Sequence, residues 1–532
     1  MPAFLMIQNP GVADPTAFTL LGASTSRNSG SNQTIGKFGS GNKHGVAVCL
    51  RNALPPVVFA GNLRLTFGTT PIGVNNGITT TEFARVQVKY GGKDREGVSR
   101  SSTEDLGFVL EYGAADWGTT DLALREFVSN AIDRAIAEGE YEFLFRYIEG
   151  KGAAFGELAK VEGSDEREEM GVALEEYRKT ARDFKNVKVE VVNENQVRAK
   201  DGVTRVFIPM NEDVLRFYNN LGKWFLHFSE PELLNVTILP KGNRNLTQRQ
   251  AAVIYRRGVR VREFESSDVA SLFDYNLPDL EMDESRKVDD WKVRYAAGIA
   301  LQDASKEELA TLFQSFTGTT KFWEWGFDSY GLEYTRYGEK SEATAARQTR
   351  WQEAFTAVQG ADAVISTPDG GEFAERKGYK VLKAPEAYVK AAGKMGVRTP
   401  DKVLTQDDKD GREIVEATPD AESAVDFVWS VVTAHGMTAN KSRPKVKCFR
   451  KIMSGGSQTL GFYRDGVVYF NTDIAGYGSV EGGQHVLSQQ LLTTALEEVA
   501  HYVTGAADNS RDFQDYVLNL AVKLAKGAAG IL

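Results

Sequence analysis

Cysteine is nearly absent: Cys49 and Cys448 are the only two in 532 residues, and they stand far apart. That excludes a disulfide framework and a multi-cysteine zinc cluster, and it makes a reducing cytoplasm the expected compartment. No apolar run approaches the roughly 20 residues that a membrane-spanning helix needs. The opening MPAFLMIQNPGVADP has no basic segment followed by an apolar stretch, so neither a membrane partner nor a leader is expected. Cations are in deficit, with 63 Lys and Arg against 72 Asp and Glu and a net charge of −9. A mainly electrostatic grip on nucleic acid is therefore not indicated. What is present, 42% hydrophobic and 25% charged residues, is ordinary globular composition, and the length suits three or four domains at roughly 100–200 residues each.

The first 80 residues are rich in Gly, Ser and Thr, and GASTSRNSGSNQTIGKFGSGNK reads as a long loop feeding a helix, GVAVCLRNA. Strand-like runs VVFAGNLRLTF and FARVQVKY follow, then a helix over Leu122 to Ala137, then a charged, helical, exposed insertion over 150–186. VKVEVV and TRVFIPM restore strand character. The pattern divides the chain into a domain of alternating strands and helices over 1–231, an α+β module over 232–345, a connector over 346–440 and a small α+β domain over 441–532. In the last of these, the spacing predicts a strand GFYRDGVVYFN, a Gly-rich loop and a helix LLTTALEEVAHYV.

Two segments carry chemistry. Gly36-Lys37-Phe38-Gly39-Ser40-Gly41 stands just ahead of the first helix with Lys43 close behind, so glycines and unpaired N–H groups gather where a helix dipole favours an anion. A Gly-rich turn before a helix is the plainer reading of the same residues. Glu126, Asn130 and Asp133 recur at i, i+4 and i+7, which puts both others within about 40° of Glu126 on one helical face. They suit either a solvated polar face or a carboxylate that activates water beside an amide oxygen that binds Mg²⁺.

Together, Glu126-x-x-x-Asn130-x-x-Asp133 and Gly36 to Gly41 resemble the N-box and second glycine box of the GHKL ATPases, the superfamily of gyrase B subunits, heat-shock chaperones, histidine kinases and mismatch-repair ATPases. The resemblance covers about residues 20–230 and implies a Bergerat-type sandwich that binds ATP and Mg²⁺. Glu126 would then be the general base and Asn130 the Mg²⁺ ligand, with Asp133 a support near the nucleotide. Gly36, Gly39 and Gly41 would line the triphosphate with Lys37, Phe38, Ser40 and Lys43 around them. The glycine box here precedes the N-box by about 90 residues, so the domain would be a circular permutant opened in its lid. The family's Asp-x-Gly-x-Gly adenine box has no clean match; Asp201-Gly202 is the nearest candidate and reads better as a hairpin turn. Residues 232–345 take the place of a transducer, in which Lys241, Arg256, Arg257 and Arg286 are conceivable phosphate sensors and none is singled out. The resemblance further implies an ATP-driven homodimer with an unidentified protein client, and the architecture is similar to that of uncharacterised phage ATP-binding proteins, which would place it in a host bacterial cytoplasm.

Near the C-terminus Glu497-Glu498-Val499-Ala500-His501, with Asp508 downstream, resembles the zincin H-E-x-x-H helix, except that Glu497 stands in place of the first histidine. A degenerate domain, a Zn²⁺ site made by Glu497, His501 and Asp508, and a metal-dependent hydrolase are the three readings.

Overall fold

Alternating β-branched and aromatic residues give the strands one apolar face each, and tertiary pairing joins eight of them into a single sheet. In the computed structural model, described over residues 2–531 except 21–34, 36–40, 76, 112–117, 151–164, 242–250, 264–268, 283–287, 336–340, 452–458, 474–478 and 482–483, the chain packs as two compact units, Met1–Val358 and Gln359–Leu532. It is a mixed α+β protein with several mostly antiparallel sheets, 47% helix and 24% strand. Among the described residues no helix is long and apolar enough to cross a membrane.

The main sheet of the first unit consists of β1 (Ala3–Pro10), β2 (Val57–Ala60), β3 (Leu63–Asn75), β4 (Thr80–Lys93), β5 (Ser99–Arg100), β6 (Thr103–Val109), β7 (Lys188–Asn193) and β8 (Val203–Pro209). Its order is β5-β4-β3-β2-β8-β1-β7 with β6 also on β4, and every pairing is antiparallel. Period-two alternation sends Leu5, Ile7, Val58, Leu65, Val206 and Ile208 to one face, while Met6, Phe59 and Phe207 form a smaller cluster apart from them. The first group packs on two helices, α1 (Gly41–Arg51) and α2 (Thr120–Gly150), through Val46, Val48, Leu124, Phe127, Val128 and Ile132. The helix expected over 122–137 thus runs on to residue 150. There α3 (Asp165–Thr180) is tied to it by Arg178, bonded twice to Glu140 at 2.8 and 3.0 Å, and by Tyr177 stacked on Phe143 at 4.4 Å. Asp201 and Gly202 form the turn entering β8, with Asp201 exposed and Gly202 at φ +71°.

A second sheet follows, β9 (Ile238–Pro240), β10 (Val253–Arg256), β11 (Val259–Glu263) and β12 (Phe273–Asn276), ordered β11-β10-β12-β9. It is anchored by Glu324, fully buried, whose carboxylate accepts from Ser271 Oγ at 2.6 Å, the backbone N–H of Leu272 and Phe273, and Tyr275 Oη at 3.2 Å. Burial pushes that carboxyl's pKa up.

In the second unit β13 (Ala363–Ser366) pairs parallel with β14 (Lys380–Lys383). A four-stranded sheet has the order β15-β16-β18-β17, from β15 (Arg412–Val415), β16 (Lys445–Lys451), β17 (Gly461–Arg464) and β18 (Val467–Asn471). The run GFYRDGVVYFN, expected as one strand, is a hairpin, because Asp465 and Gly466 at positive φ reverse the chain between β17 and β18. Two helices share this unit's core, α4 (Pro419–Ala434), started by Thr418 accepting from Ala421 N–H with Pro419 next in line, and α5 (Gln489–Thr504), which ends on Gly505 in the left-handed region. Residues 412–434, read as connector, therefore supply a strand and a helix to the fold of 441–532. The last helix, α6 (Arg511–Ala528), packs Leu520 and Tyr516 on the same core.

Candidate functional site

The first turn of α1 lies against the middle of α2, and this crossing brings the two chemistry-bearing segments together. Gly41 opens α1 so close to Glu126 that a Cβ there would stand 2.3 Å from Glu126 Oε2. Any side chain there would push the Glu126 carboxylate aside. One turn on, Gly45 gives Phe127 the same room, a Cβ meeting its ring at 2.9 Å. Between them Asn42 Oδ1 accepts from Asn130 Nδ2 at 2.8 Å. The third N-box position closes the arrangement: Asp133 Oδ1 accepts from Ile35 N–H at 2.6 Å, and Arg256 of β10 donates from Nη1 to the Ile35 carbonyl at 3.0 Å. The chain entering the glycine segment is thereby held at Ile35 and leaves it at Gly41. Gly36, Lys37, Phe38, Gly39 and Ser40 themselves lie outside the described residues.

Burial separates these groups from a solvated polar face. Glu126 is 2% exposed and Asp133 8%, while Asn130 is half-buried. Glu126 Oε1 lies 3.6 Å from Nη2 of Arg125, itself buried, and its other oxygen faces the N-terminus of α1, where the helix dipole favours negative charge. Lys43 is buried too, and the loss of hydration pulls its ammonium pKa down to about 8. The result is a carboxylate, a carboxamide and a lysine around a helix N-terminus, a set that suits an anion with its countercation. The bond to Asn42 uses an Asn130 amide hydrogen and not its oxygen, and an amide oxygen beside a carboxylate is a donor set that fits a hard cation such as Mg²⁺.

Asn42 and Arg125 are absent from the motif reading, although each adjoins a motif residue; only folding shows that they touch one. Arg256 is one of the four cations considered, and it is set apart by two backbone carbonyls it binds, those of Ile35 and Leu280. Of the others, Lys241 is paired with Asp274 at 3.3 Å, Arg257 donates to the Pro278 carbonyl, and Arg286 lies outside the described residues.

Of the three suggested metal ligands at the end of α5 and beyond it, the structure brings two together, His501 and Asp508, and leaves Glu497 apart. His501 uses both ring nitrogens, Nδ1 against the Ala506 carbonyl at 2.7 Å and Nε2 against Asp508 at 2.5 Å, and stacks on Phe513. Glu497 points to solvent. Among the described residues no three His, Cys, Asp or Glu side chains converge as metal ligands. The buried member of the motif is Glu498, in the position of the zincin general base. Desolvation, reinforced by Glu497 and Asp508, pushes its pKa up to about 7.

Comparison with protein-family models, curated proteins and solved structures yields no match to this chain.

Proposed function

We propose that the first unit is a permuted GHKL-type module that binds Mg²⁺-ATP and uses nucleotide state as a conformational switch, with slow hydrolysis to ADP and phosphate. The observation that carries this reading is the convergence of Ile35, Gly41 and Asn42 on Asp133, Glu126 and Asn130, across sequence separations of 88 residues for Asn42 and Asn130 and 98 for Ile35 and Asp133. An eight-stranded antiparallel sheet with helices on one face supports a Bergerat-type sandwich. In the proposed reaction a water oxygen attacks the γ-phosphorus, the bond to ADP breaks, and Glu126 takes the proton of the attacking water. Asn130 would hold Mg²⁺ through its amide oxygen, and the ion would offset phosphate charge. The burial of Glu126 fits slow turnover, since α1 must shift before water reaches it. An ATP-dependent homodimer acting on a protein client accompanies the proposal.

Calorimetric titration with a non-hydrolysable ATP analogue and Mg²⁺ tests it. Binding to the native protein and at least tenfold weaker binding to Asn130→Ala are expected, as is a hundredfold or greater loss of phosphate release in Glu126→Gln with binding kept. Absence of binding to either protein refutes the site. Unchanged low turnover in Glu126→Gln with intact binding favours the second reading, an ATP-sensing or virion-associated protein that does not hydrolyse, which the burial of Glu126 supports. A Zn²⁺-dependent hydrolase in the second unit has weaker support, resting on Glu498 alone.

A further inference from the structure

The C-terminal helix α6 has two apolar faces and uses one. Phe513, Tyr516, Leu520 and Lys523 turn inward: Leu520 is 2% exposed, Tyr516 Oη donates to the Met437 carbonyl at 2.9 Å, and Lys523 Nζ donates to the His435 carbonyl at 2.7 Å. At 100° per residue, Leu518, Val522, Ala525 and Ala529 fall within about 60° of one another on the opposite side. All four are exposed, Leu518 at 63% and Val522 at 52%. An ordinary surface helix places charge along such a line. Here one charge, Arg511, stands in line with the stripe at its N-terminal end, and Asp515 and Lys526 stand together on one flank of it.

That flank is self-complementary in one geometry. When two copies of α6 cross antiparallel about a two-fold axis near residues 521 and 522, Leu518 of each meets Ala525 of the other and Val522 meets Ala521. Like flanks then face each other in opposite directions. Asp515 comes opposite Lys526 of the second copy with an axial offset of about 3 Å, within reach of a lysine side chain, and the symmetry makes the pair twice. In a parallel pair the same flanks lie on opposite sides of the seam, so Asp515 and Lys526 would face the flank of Gln514, Ala521 and Ala528, which carries no charge. The intramolecular partner of Asp515 is Arg511, 3.6 Å away and 89% exposed, which leaves the flank open on its outer side.

We propose that this face is a self-association surface, on which α6 pairs antiparallel with α6 of a second copy of the chain. The stripe is about three turns long and carries two large apolar side chains, much less than a standard interface, so the association is weak, with a dissociation constant in the micromolar range or above. It is independent of nucleotide and stands whether or not the first unit binds ATP.

Sedimentation velocity of the full chain over a hundredfold concentration range tests it, with circular dichroism to show that each variant is folded; the substituted residues are exposed, so folding is retained. The native protein shows a monomer–dimer equilibrium, and Leu518→Asp with Val522→Asp abolishes it. Asp515→Lys alone and Lys526→Asp alone each weaken it about tenfold, and the double reversal Asp515→Lys with Lys526→Asp restores it. A monomer at every concentration, a dimer indifferent to Leu518→Asp with Val522→Asp, or a double reversal no better than the singles overturns the proposal.

Discussion

Replacing Glu498 by glutamine should stabilise the second unit in alkaline solution and not in acid. The side chain lies on α5 against β17, where Glu498 Cγ would be 3.2 Å from a Cβ built on Gly461, and it is 8% exposed. Burial holds its pKa near 7 against an ordinary 4.5. Between those values the folded chain keeps a proton that the unfolded chain has released, so stability falls as pH rises through the window from 4.5 to about 7. Above it the cost is complete, about 3 kcal/mol from the gap between the two values. Glutamine has the same shape and no charge to desolvate. The variant should therefore gain about 2 to 3 kcal/mol at pH 8 and differ from the native protein by less than about 1 kcal/mol at pH 5. Because the chain has two units, global unfolding would mix their transitions. Hydrogen exchange of the α5 amides at both pH values, corrected for intrinsic rates, isolates the second. Equal protection at pH 8, or a loss at both pH values, would show that the Glu498 carboxylate is not forced toward its neutral form and would refute the reasoning.

Glu324→Ala removes the buried carboxylate that accepts from the Leu272 and Phe273 N–H groups and from the Tyr275 hydroxyl, while Ser271 keeps the Phe273 carbonyl at 2.7 Å, so the first unit should lose about 3 kcal/mol in denaturant unfolding; a loss under about 1 kcal/mol would mean the site rehydrates. Gly41→Ala drives a Cβ into Glu126 Oε2, so affinity for the Mg²⁺-bound ATP analogue should fall at least tenfold by calorimetry, and unchanged binding would separate that contact from the nucleotide site. The Asn130→Ala and Glu126→Gln titrations and the charge reversals on α6 complete the set.

The helices were legible because their apolar spacing and caps are local. Residues 41–51, the core of α2 and the α5 segment all follow from periodicity, whereas α4 was read as part of a connector although Thr418-Pro419 marks its start. The sequence also put Glu126, Asn130 and Asp133 on one helical face, since 3.6 residues per turn leaves no alternative. It could not show whether that face met water, because burial depends on what packs against it. β1 was unread: Ala3–Pro10 is short and opens the chain, yet it pairs with β7 and β8 from nearly 200 residues away. The same limit applied to the hairpin at Asp465-Gly466, where a turn competed with a continuous strand pattern, and to the trio Glu497, His501 and Asp508, whose helical spacing says nothing about the loop that carries Asp508. Local rules thus determined the elements and the residues that share a face. Only tertiary structure decided that Gly41 lies on Glu126, that Asp133 and Arg256 hold Ile35 from two sheets' worth of separate chain, and that Glu498 rather than Glu497 is buried, because each of these depends on contacts between segments whose sequence separation no local pattern encodes.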